Sequence, residues 1–129
     1  MKRCLVLIWA FLGAGILSMN AQSIVKDEIT PDGIRLVQVT PDDAVCSVNL
    51  DITLKGNVIQ SVEYTRGCNG NAKGINALIK DMTMDEAIKR LDGITCGKLK
   101  TSCPDQLAKS LKLIKKHKAT LVQQFSAKK

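Results

Sequence analysis

The sequence predicts a small α+β domain, in which an antiparallel sheet made of a β-hairpin and one further strand packs on three helices. Two observations predict this class. Two stretches of alternating apolar and polar residues flank a tight-turn sequence, which is typical of a hairpin. Beyond residue 71 the apolar residues change to helical spacing. The 129 residues, 45% of them hydrophobic, suffice for one domain of ordinary globular composition.

The first 21 residues have the pattern of a secretory signal peptide. Lys2 and Arg3 precede a fourteen-residue apolar run, and we expect cleavage after Ala21. The run is shorter than the roughly 20 apolar residues that span a membrane, so we predict no transmembrane span after cleavage. Translation from Met1 then gives a periplasmic or secreted protein, whereas translation from Met19 gives a cytoplasmic one.

Residues 22–40 are predicted to be a leader and a possible first strand. The leader is polar and ends in a turn at Pro31–Gly33. The segment from Ile34 to Thr40 is rich in β-branched and aliphatic residues, which favours a strand.

The hairpin is predicted around the turn sequence Lys55, Gly56 and Asn57. Apolar and polar residues alternate over residues 46–54, and a weaker alternation covers residues 58–65. The first of these strands should bury its apolar face, formed by Val48, Leu50, Ile52 and Leu54.

Three helices are predicted after the hairpin. The first covers residues 72–81, and the second begins with a capping box in which Thr83 precedes Glu86 by three positions. The third begins at Cys103, with proline in its first turn, and ends in a basic helical tail over residues 115–129. Its apolar stripe consists of Leu107, Leu111, Ile114, Leu121 and Phe125.

The basic character of the chain belongs to residues 109–129, which include this tail. The formal charge is +7, yet residues 22–108 carry 10 basic and 12 acidic side chains. We expect a solvated helix, with an anionic membrane or nucleic acid as the alternative ligand. Aromatic residues make up 3% of the chain, too few for a platform that stacks single-stranded bases, and we expect no sequence-specific binding of nucleic acid.

Common catalytic arrangements are missing from the sequence. His117 is the only histidine and lies among lysines, so we expect an exposed side chain that is not a metal ligand. Because a Ser-His-Asp or Cys-His arrangement would have to use it, the sequence argues against nucleophilic hydrolysis. It also lacks a phosphate-binding glycine loop of the P-loop or Rossmann type.

Four cysteines remain after the signal peptide: Cys46, Cys68, Cys96 and Cys103. Cys68 and Cys103 lie at predicted helix starts, where unpaired N–H groups favour a thiolate. The set suits a zinc or iron–sulfur site, although it has no Cys-x₂-Cys pair. An even number of cysteines in a secreted chain also suits two disulfides. From the spacing alone, two disulfides are the first choice. A third alternative is a redox dithiol of Cys96 and Cys103.

The residues from Thr101 to Asp105 spell Thr-Ser-Cys-Pro-Asp, and the chain resembles the TSCPD domain family, which is named for them. The resemblance covers about residues 41–114, with Asn69 in place of a frequent proline. Three further segments match the family's pattern: Val45–Ser47, Gly67–Asn71 and Gly93–Gly97. The family occurs as a C-terminal module of adenosylcobalamin-dependent ribonucleoside-diphosphate reductases and as small stand-alone proteins.

This resemblance implies a link to ribonucleotide reduction and DNA synthesis, by re-reduction of an active-site disulfide or by metal-supported assembly. The 108 residues after the signal peptide are too few for the catalytic barrel and its cobalamin site. The implied partner is a reductase or a thiol-redox protein. The implied site residues are Cys46, Cys68, Cys96 and Cys103, which would bind zinc or an iron–sulfur cluster or exchange disulfides.

The order of elements is also similar to that of the U-type iron–sulfur scaffold proteins. That similarity implies a U-type-like fold with three ligands, Cys46, Cys68 and Cys103, and Cys96 as an extra thiol. Ser47 occupies the stretch in which those scaffolds carry an acidic residue, which favours stable zinc over cluster release.

We therefore predict a domain over residues 41–114 with its four cysteines close together at one end. The leading hypothesis is a module that binds metal or exchanges disulfides. The alternative is an exported, disulfide-stapled binding module whose basic helix contacts an anionic partner. The two differ in sulfur geometry: a metal site needs the Sγ atoms grouped around one point, whereas a disulfide-stapled module needs two separate S–S pairs.

Overall fold

The computed structural model describes residues 21–42 and 45–126, with side chains described as far as His117. Residues 1–20 of the predicted signal peptide lie outside the described residues. The elements are β1 (Ser23–Ile29), β2 (Ile34–Thr40), β3 (Asn49–Lys55), β4 (Val58–Thr65), α1 (Asn69–Ile79), α2 (Met84–Leu91) and α3 (Cys103–Ser126). A four-stranded antiparallel sheet with three helices confirms the predicted α+β class.

The sheet has the strand order β1-β2-β3-β4, so each strand pairs with its neighbour along the chain. The predicted hairpin is confirmed as β3 and β4, joined at Gly56, whose φ of 61° suits a residue without a Cβ. Leu50, Ile52 and Leu54 are buried as expected. Val48 is 43% exposed, because it precedes the first residue of β3.

The polar segment predicted to be a leader forms the strand β1 instead. Ser23 lies opposite Thr40 and Ile29 opposite Arg35, so β1 pairs with β2 along its length. The sheet consequently has one strand more than predicted. β1 is an edge strand with mostly exposed side chains, and therefore lacks the apolar alternation that marks a strand in a sequence.

The hydrophobic core lies between one face of the sheet and the helices. Its fully or largely buried members are Val37, Val39, Leu50, Ile52, Leu54, Ile59, Val62, Ile75, Ile79, Met84, Ala87, Leu107, Leu111 and Ile114. The opposite face of the sheet is polar and partly exposed; there the Gln38 amide donates a hydrogen bond to Asp51 over 2.8 Å. The one aromatic side chain among the described ones, that of Tyr64, packs partly buried against this aliphatic core, in agreement with the 3% aromatic content.

The helices begin close to their predicted positions. α1 begins three residues before the predicted start, which makes Cys68 its N-cap. Thr83 caps α2, since its Oγ1 accepts a hydrogen bond from the Glu86 N–H at 3.2 Å. α3 begins at Cys103 as predicted. Of its predicted apolar stripe, Leu107, Leu111 and Ile114 are buried, whereas the side chains of Leu121 and Phe125 lie outside the described ones.

Lysines of α3 pair with acidic side chains of the same domain. Lys112 Nζ lies 2.7 Å from the Asp92 carboxylate, and Lys115 pairs with Asp85. These pairs connect α3 to α2 and to the residue that follows it, and they neutralise part of the basic surface. Within the described part of the chain, no helix has the length and apolar character needed to cross a membrane.

His117, predicted to be exposed, has a partner in β1 that its sequence context did not indicate. Its Nδ1 lies 2.8 Å from the Asp27 carboxylate, and the side chain is 42% exposed. The Asp27 carboxylate also accepts hydrogen bonds from Arg35 at 2.7 and 2.5 Å. The strand β1, missing from the predicted fold, supplies this partner and connects α3 to the edge of the sheet.

Candidate functional site

All four cysteines after the predicted signal peptide line one groove of about 350 Å³: Cys46, Cys68, Cys96 and Cys103. The groove lies where β3 begins, β4 ends, and α1 and α3 begin. Ile94 and Leu99 contribute apolar surface to it and are 43% and 50% exposed. Cysteines that span residues 46–103 of the chain therefore line one concave and largely apolar surface.

The thiols do not form the compact cluster that was predicted. Across residues 21–42 and 45–117, no three or more His, Cys, Asp or Glu side chains are placed to hold a metal ion. All four cysteines are free, which also differs from the predicted disulfide-stapled alternative. Three of them are exposed and Cys103 is half-buried. Each thiol belongs to a different backbone segment, so the groove stays open between them.

Cys68 lies at the positive end of α1. The preceding Gly67 has a φ of 94°, which turns the chain from β4 toward the helix. The Cys68 carbonyl accepts the first helical hydrogen bond from Ala72 at 2.9 Å, while its side chain makes no capping bond. The thiol is thus left free and exposed beside the unpaired N–H groups of the first helical turn.

Cys103 opens α3 and is the least exposed of the four thiols. The buried Ser47 donates a hydrogen bond from its Oγ to the Cys103 Sγ over 3.8 Å. The hydroxyl oxygen of Tyr64 is buried and has no hydrogen-bond partner among the described residues. Burial raises the pKa of Tyr64, and the nearby Cys103 raises it further. Two hydroxyl groups therefore lie near this sulfur.

A second, much smaller cavity lies beside the groove. Its volume of about 10 Å³ is roughly what one water molecule needs. Cys68, Cys103 and Tyr64 line it, whereas Cys46 and Cys96 do not. Cys68 and Cys103 thus share both spaces.

Asp105 fixes the loop that precedes α3. Its carboxylate accepts hydrogen bonds from the Thr101 hydroxyl at 2.5 Å, the Gly93 N–H at 2.7 Å and the Lys109 ammonium at 2.8 Å. Burial of this carboxyl opposes ionisation, but the three hydrogen bonds outweigh burial and hold the pKa of Asp105 below its usual value. The ionised Asp105 carboxylate therefore holds this loop in place.

The loop between α2 and α3 is attached to the start of α3 at two further points. Ser102 donates a hydrogen bond to the Ile94 carbonyl at 2.6 Å and accepts one from the Asp105 N–H at 3.3 Å. The Cys96 N–H donates to the Thr101 carbonyl at 3.1 Å. These contacts hold Cys96 at the wall of the groove while its thiol stays exposed.

Gln106 connects the same region to the N-terminal segment. It is fully buried, and its Nε2 donates to Asp42 at 2.7 Å and to Thr101 at 3.0 Å. Its Oε1 accepts a hydrogen bond from Gln22 at 2.5 Å. Its one sequence signal is that it follows the Thr-Ser-Cys-Pro-Asp motif directly. Nothing in the sequence marks Ser47 or Tyr64 as neighbours of Cys103.

Comparison with known protein families matches residues 25–115 to the TSCPD domain. The matched segment begins within β1, so it includes most of β1, the other three strands and all four groove cysteines. No curated protein and no solved structure matches the chain significantly.

Proposed function

The chain belongs to the TSCPD domain family, and we propose that it is a thiol–disulfide exchange module whose groove presents cysteine thiols to a disulfide of a partner protein. One observation carries the proposal: four free cysteines from four separate segments line a single groove, and three of them are exposed. The partner class is a reductase or another thiol-redox protein, following the family's occurrence as a module of ribonucleotide reductases.

The chemistry needs no group that the chain lacks. A cysteine thiolate attacks a disulfide sulfur, and a second thiol of the groove completes the exchange. The partner's disulfide is reduced to two thiols, while two groove cysteines are oxidised to a disulfide. The exposed apolar side chains of Ile94 and Leu99 would contact the polypeptide segment that carries the partner's disulfide.

Binding of a soft metal is the second candidate function. The donor set fits in its chemistry, because zinc and iron–sulfur clusters take thiolates and the described residues of the groove lining include no carboxylate or imidazole. Cys46, Cys68, Cys96 and Cys103 would hold the metal, which would stabilise the segments that carry them. The arrangement supports this candidate less well, since no three donors among the described side chains are placed around one ion.

Metal analysis combined with thiol counting distinguishes the two candidates. The full chain is purified from its native compartment, analysed for zinc and iron, and labelled with a thiol reagent before and after incubation with oxidised glutathione. Peptide mapping assigns each labelled cysteine. We expect no stoichiometric metal, and the loss of two groove thiols upon incubation.

A variant with all four groove cysteines replaced by serine is the matched control, and it should leave oxidised glutathione unreacted. Stoichiometric zinc or iron, with thiols that react only after chelation, would overturn the exchange function in favour of metal binding. Groove thiols that stay reduced in the presence of oxidised glutathione would also overturn it.

A further inference from the structure

We infer that Cys68 and Cys103 are the exchanging pair, in which Cys68 attacks the partner's disulfide and Cys103 resolves the resulting mixed disulfide. This inference rests on the proposed exchange function and assigns its two steps to particular residues. It differs from the pair that sequence spacing suggested, Cys96 and Cys103.

Proximity selects the pair. Both cysteines line the cavity of about 10 Å³, whereas Cys46 and Cys96 line only the larger groove. A space of that size holds about one water molecule, so both cysteines border the same small cavity. The segments that carry them are also fixed in place, because Cys68 is the N-cap residue of α1 and Cys103 is the first residue of α3.

Exposure assigns the two roles. Cys68 is exposed and its side chain has no capping bond, so a disulfide on a partner's surface reaches it first. Cys103 is half-buried, which suits a thiol that attacks only after the mixed disulfide has formed.

The surroundings of Cys103 fit the resolving role. Ser47 already donates a hydrogen bond to its sulfur, and Tyr64, whose buried hydroxyl has no partner among the described residues, lines the shared cavity. Hydrogen bonds from two hydroxyl groups would stabilise the negative charge that this sulfur carries when it attacks. Tyr64 is thus a positioning residue that acts through Cys103.

The electron balance of the two steps is complete. The Cys68 thiolate attacks one sulfur of the partner's disulfide, that S–S bond breaks, and the partner's other sulfur leaves as a thiolate and takes up a proton. The Cys103 thiolate then attacks the Cys68 Sγ, and the partner's remaining sulfur leaves in the same way. A Cys68–Cys103 disulfide remains, and two electrons have passed to the partner.

Single serine variants of the full chain test the assignment, with oxidised glutathione as the probe. Cys103→Ser should accumulate a glutathione adduct at Cys68 that is stable to further exchange. Cys68→Ser should lower the rate of glutathione reduction by about tenfold or more, because the exposed attacking thiol is gone. Cys46→Ser and Cys96→Ser are the comparison variants, and each should lower the rate less than Cys68→Ser does.

Tyr64→Phe tests the role of the hydroxyl, because the lifetime of the mixed disulfide should change while the rate of its formation should not. A merely structural effect would not separate these two quantities. The substitution removes a hydroxyl that has no partner among the described residues and that can donate to the Cys103 thiolate when this thiolate attacks. The lifetime of the mixed disulfide should therefore lengthen by about tenfold, the usual cost of losing a hydrogen bond to a charged group. Formation of the adduct should keep its rate. Circular dichroism of each variant confirms that the fold is retained.

The outcomes separate this inference from the proposed function. If the unsubstituted chain does not reduce oxidised glutathione, the exchange function fails and the pair with it. If it does, but peptide mapping finds a product disulfide that joins other cysteines, only the assignment of Cys68 and Cys103 is overturned. An adduct on Cys103 rather than Cys68 would reverse the two roles and contradict the inference as well.

Discussion

Two neighbouring regions of this domain treat their polar groups in opposite ways. The first, here called the motif network, consists of Thr101, Ser102, Asp105 and Gln106; each is at most 5% exposed and hydrogen-bonded within the domain. The second is the groove, in which all four cysteines are free and three are exposed. The motif network therefore stabilises the fold, whereas the free thiols contribute little to stability and are available for reaction.

The motif from Thr101 to Asp105 contributes residues to both regions. Ser102 and Cys103 are adjacent in sequence and both border the groove, yet the Ser102 hydroxyl caps α3 while the Cys103 thiol forms no disulfide. The hydrogen bonds of Asp105 to Gly93 and Thr101 hold the backbone segment that carries Cys96 and Cys103. Buried supporting contacts of this kind hold reactive groups in place without consuming them.

The largest expected effect is that of Asp105→Ala. It leaves the Thr101 hydroxyl and the Gly93 N–H without their acceptor in a buried site, so the free energy of unfolding should fall by roughly 3 kcal/mol. Urea denaturation at neutral pH measures the change. Asp85→Ala is the matched control, since its ion pair with Lys115 lies at the surface, and it should have far less effect. Equal losses in the two variants would contradict the structural role of the motif network.

A smaller effect is expected from acid. The hydrogen bond from Arg35, partly opposed by burial, lowers the pKa of Asp27, and the pKa of Asp105 is lowered as well. Their stabilisation is fully present above the ordinary carboxyl pKa of 3.8 and is lost as the pH falls through the lower folded-state pKa values. Protonation keeps the side chains in place, so the loss should be smaller than that of Asp105→Ala.

Urea denaturation between pH 7 and pH 2.5 measures this dependence. Asp105→Asn cannot titrate, and it should therefore show a shallower decline in the free energy of unfolding than the unsubstituted chain. An unchanged acid dependence in Asp105→Asn would show that the motif network carries no ionised carboxylate.

The smallest effects are expected in the groove. Cys68→Ser and Cys96→Ser should each change the free energy of unfolding by less than about 0.5 kcal/mol, because both side chains are exposed and free. Ser102→Ala removes the cap of α3 and should cost about 1 kcal/mol. Thermal unfolding of the three variants compares them directly. A loss in the cysteine variants as large as that in Ser102→Ala would contradict the contrast between the two regions.

The parts of the fold that local sequence patterns determine could be predicted. The β3–β4 hairpin follows from alternation around Gly56, and α2 follows from the capping box at Thr83. β1 could not be predicted in the same way, because an edge strand with exposed side chains lacks a buried face. The pairing of His117 with Asp27 depends on β1 and was missed for the same reason.

The site could be predicted in part. The cysteines lie at element boundaries and match the family's pattern. These two observations predicted that they lie at one end of the domain. The distances between their sulfurs depend on how separate loops pack together, which sequence spacing does not determine. The structure accordingly has an open groove where a compact cluster was expected. Ser47 and Tyr64 reach Cys103 only through tertiary packing, since 56 residues separate Ser47 from Cys103.

The simple strand order of the sheet has a consequence for the order of folding. Each strand pairs with the next one along the chain, so the sheet needs only short loops to close. The groove, in contrast, needs α3 to dock beside residues that precede it by several tens of positions. We therefore expect the sheet to assemble first and the thiols to meet last. A newly made chain would keep its cysteines apart until the sheet that supports them exists.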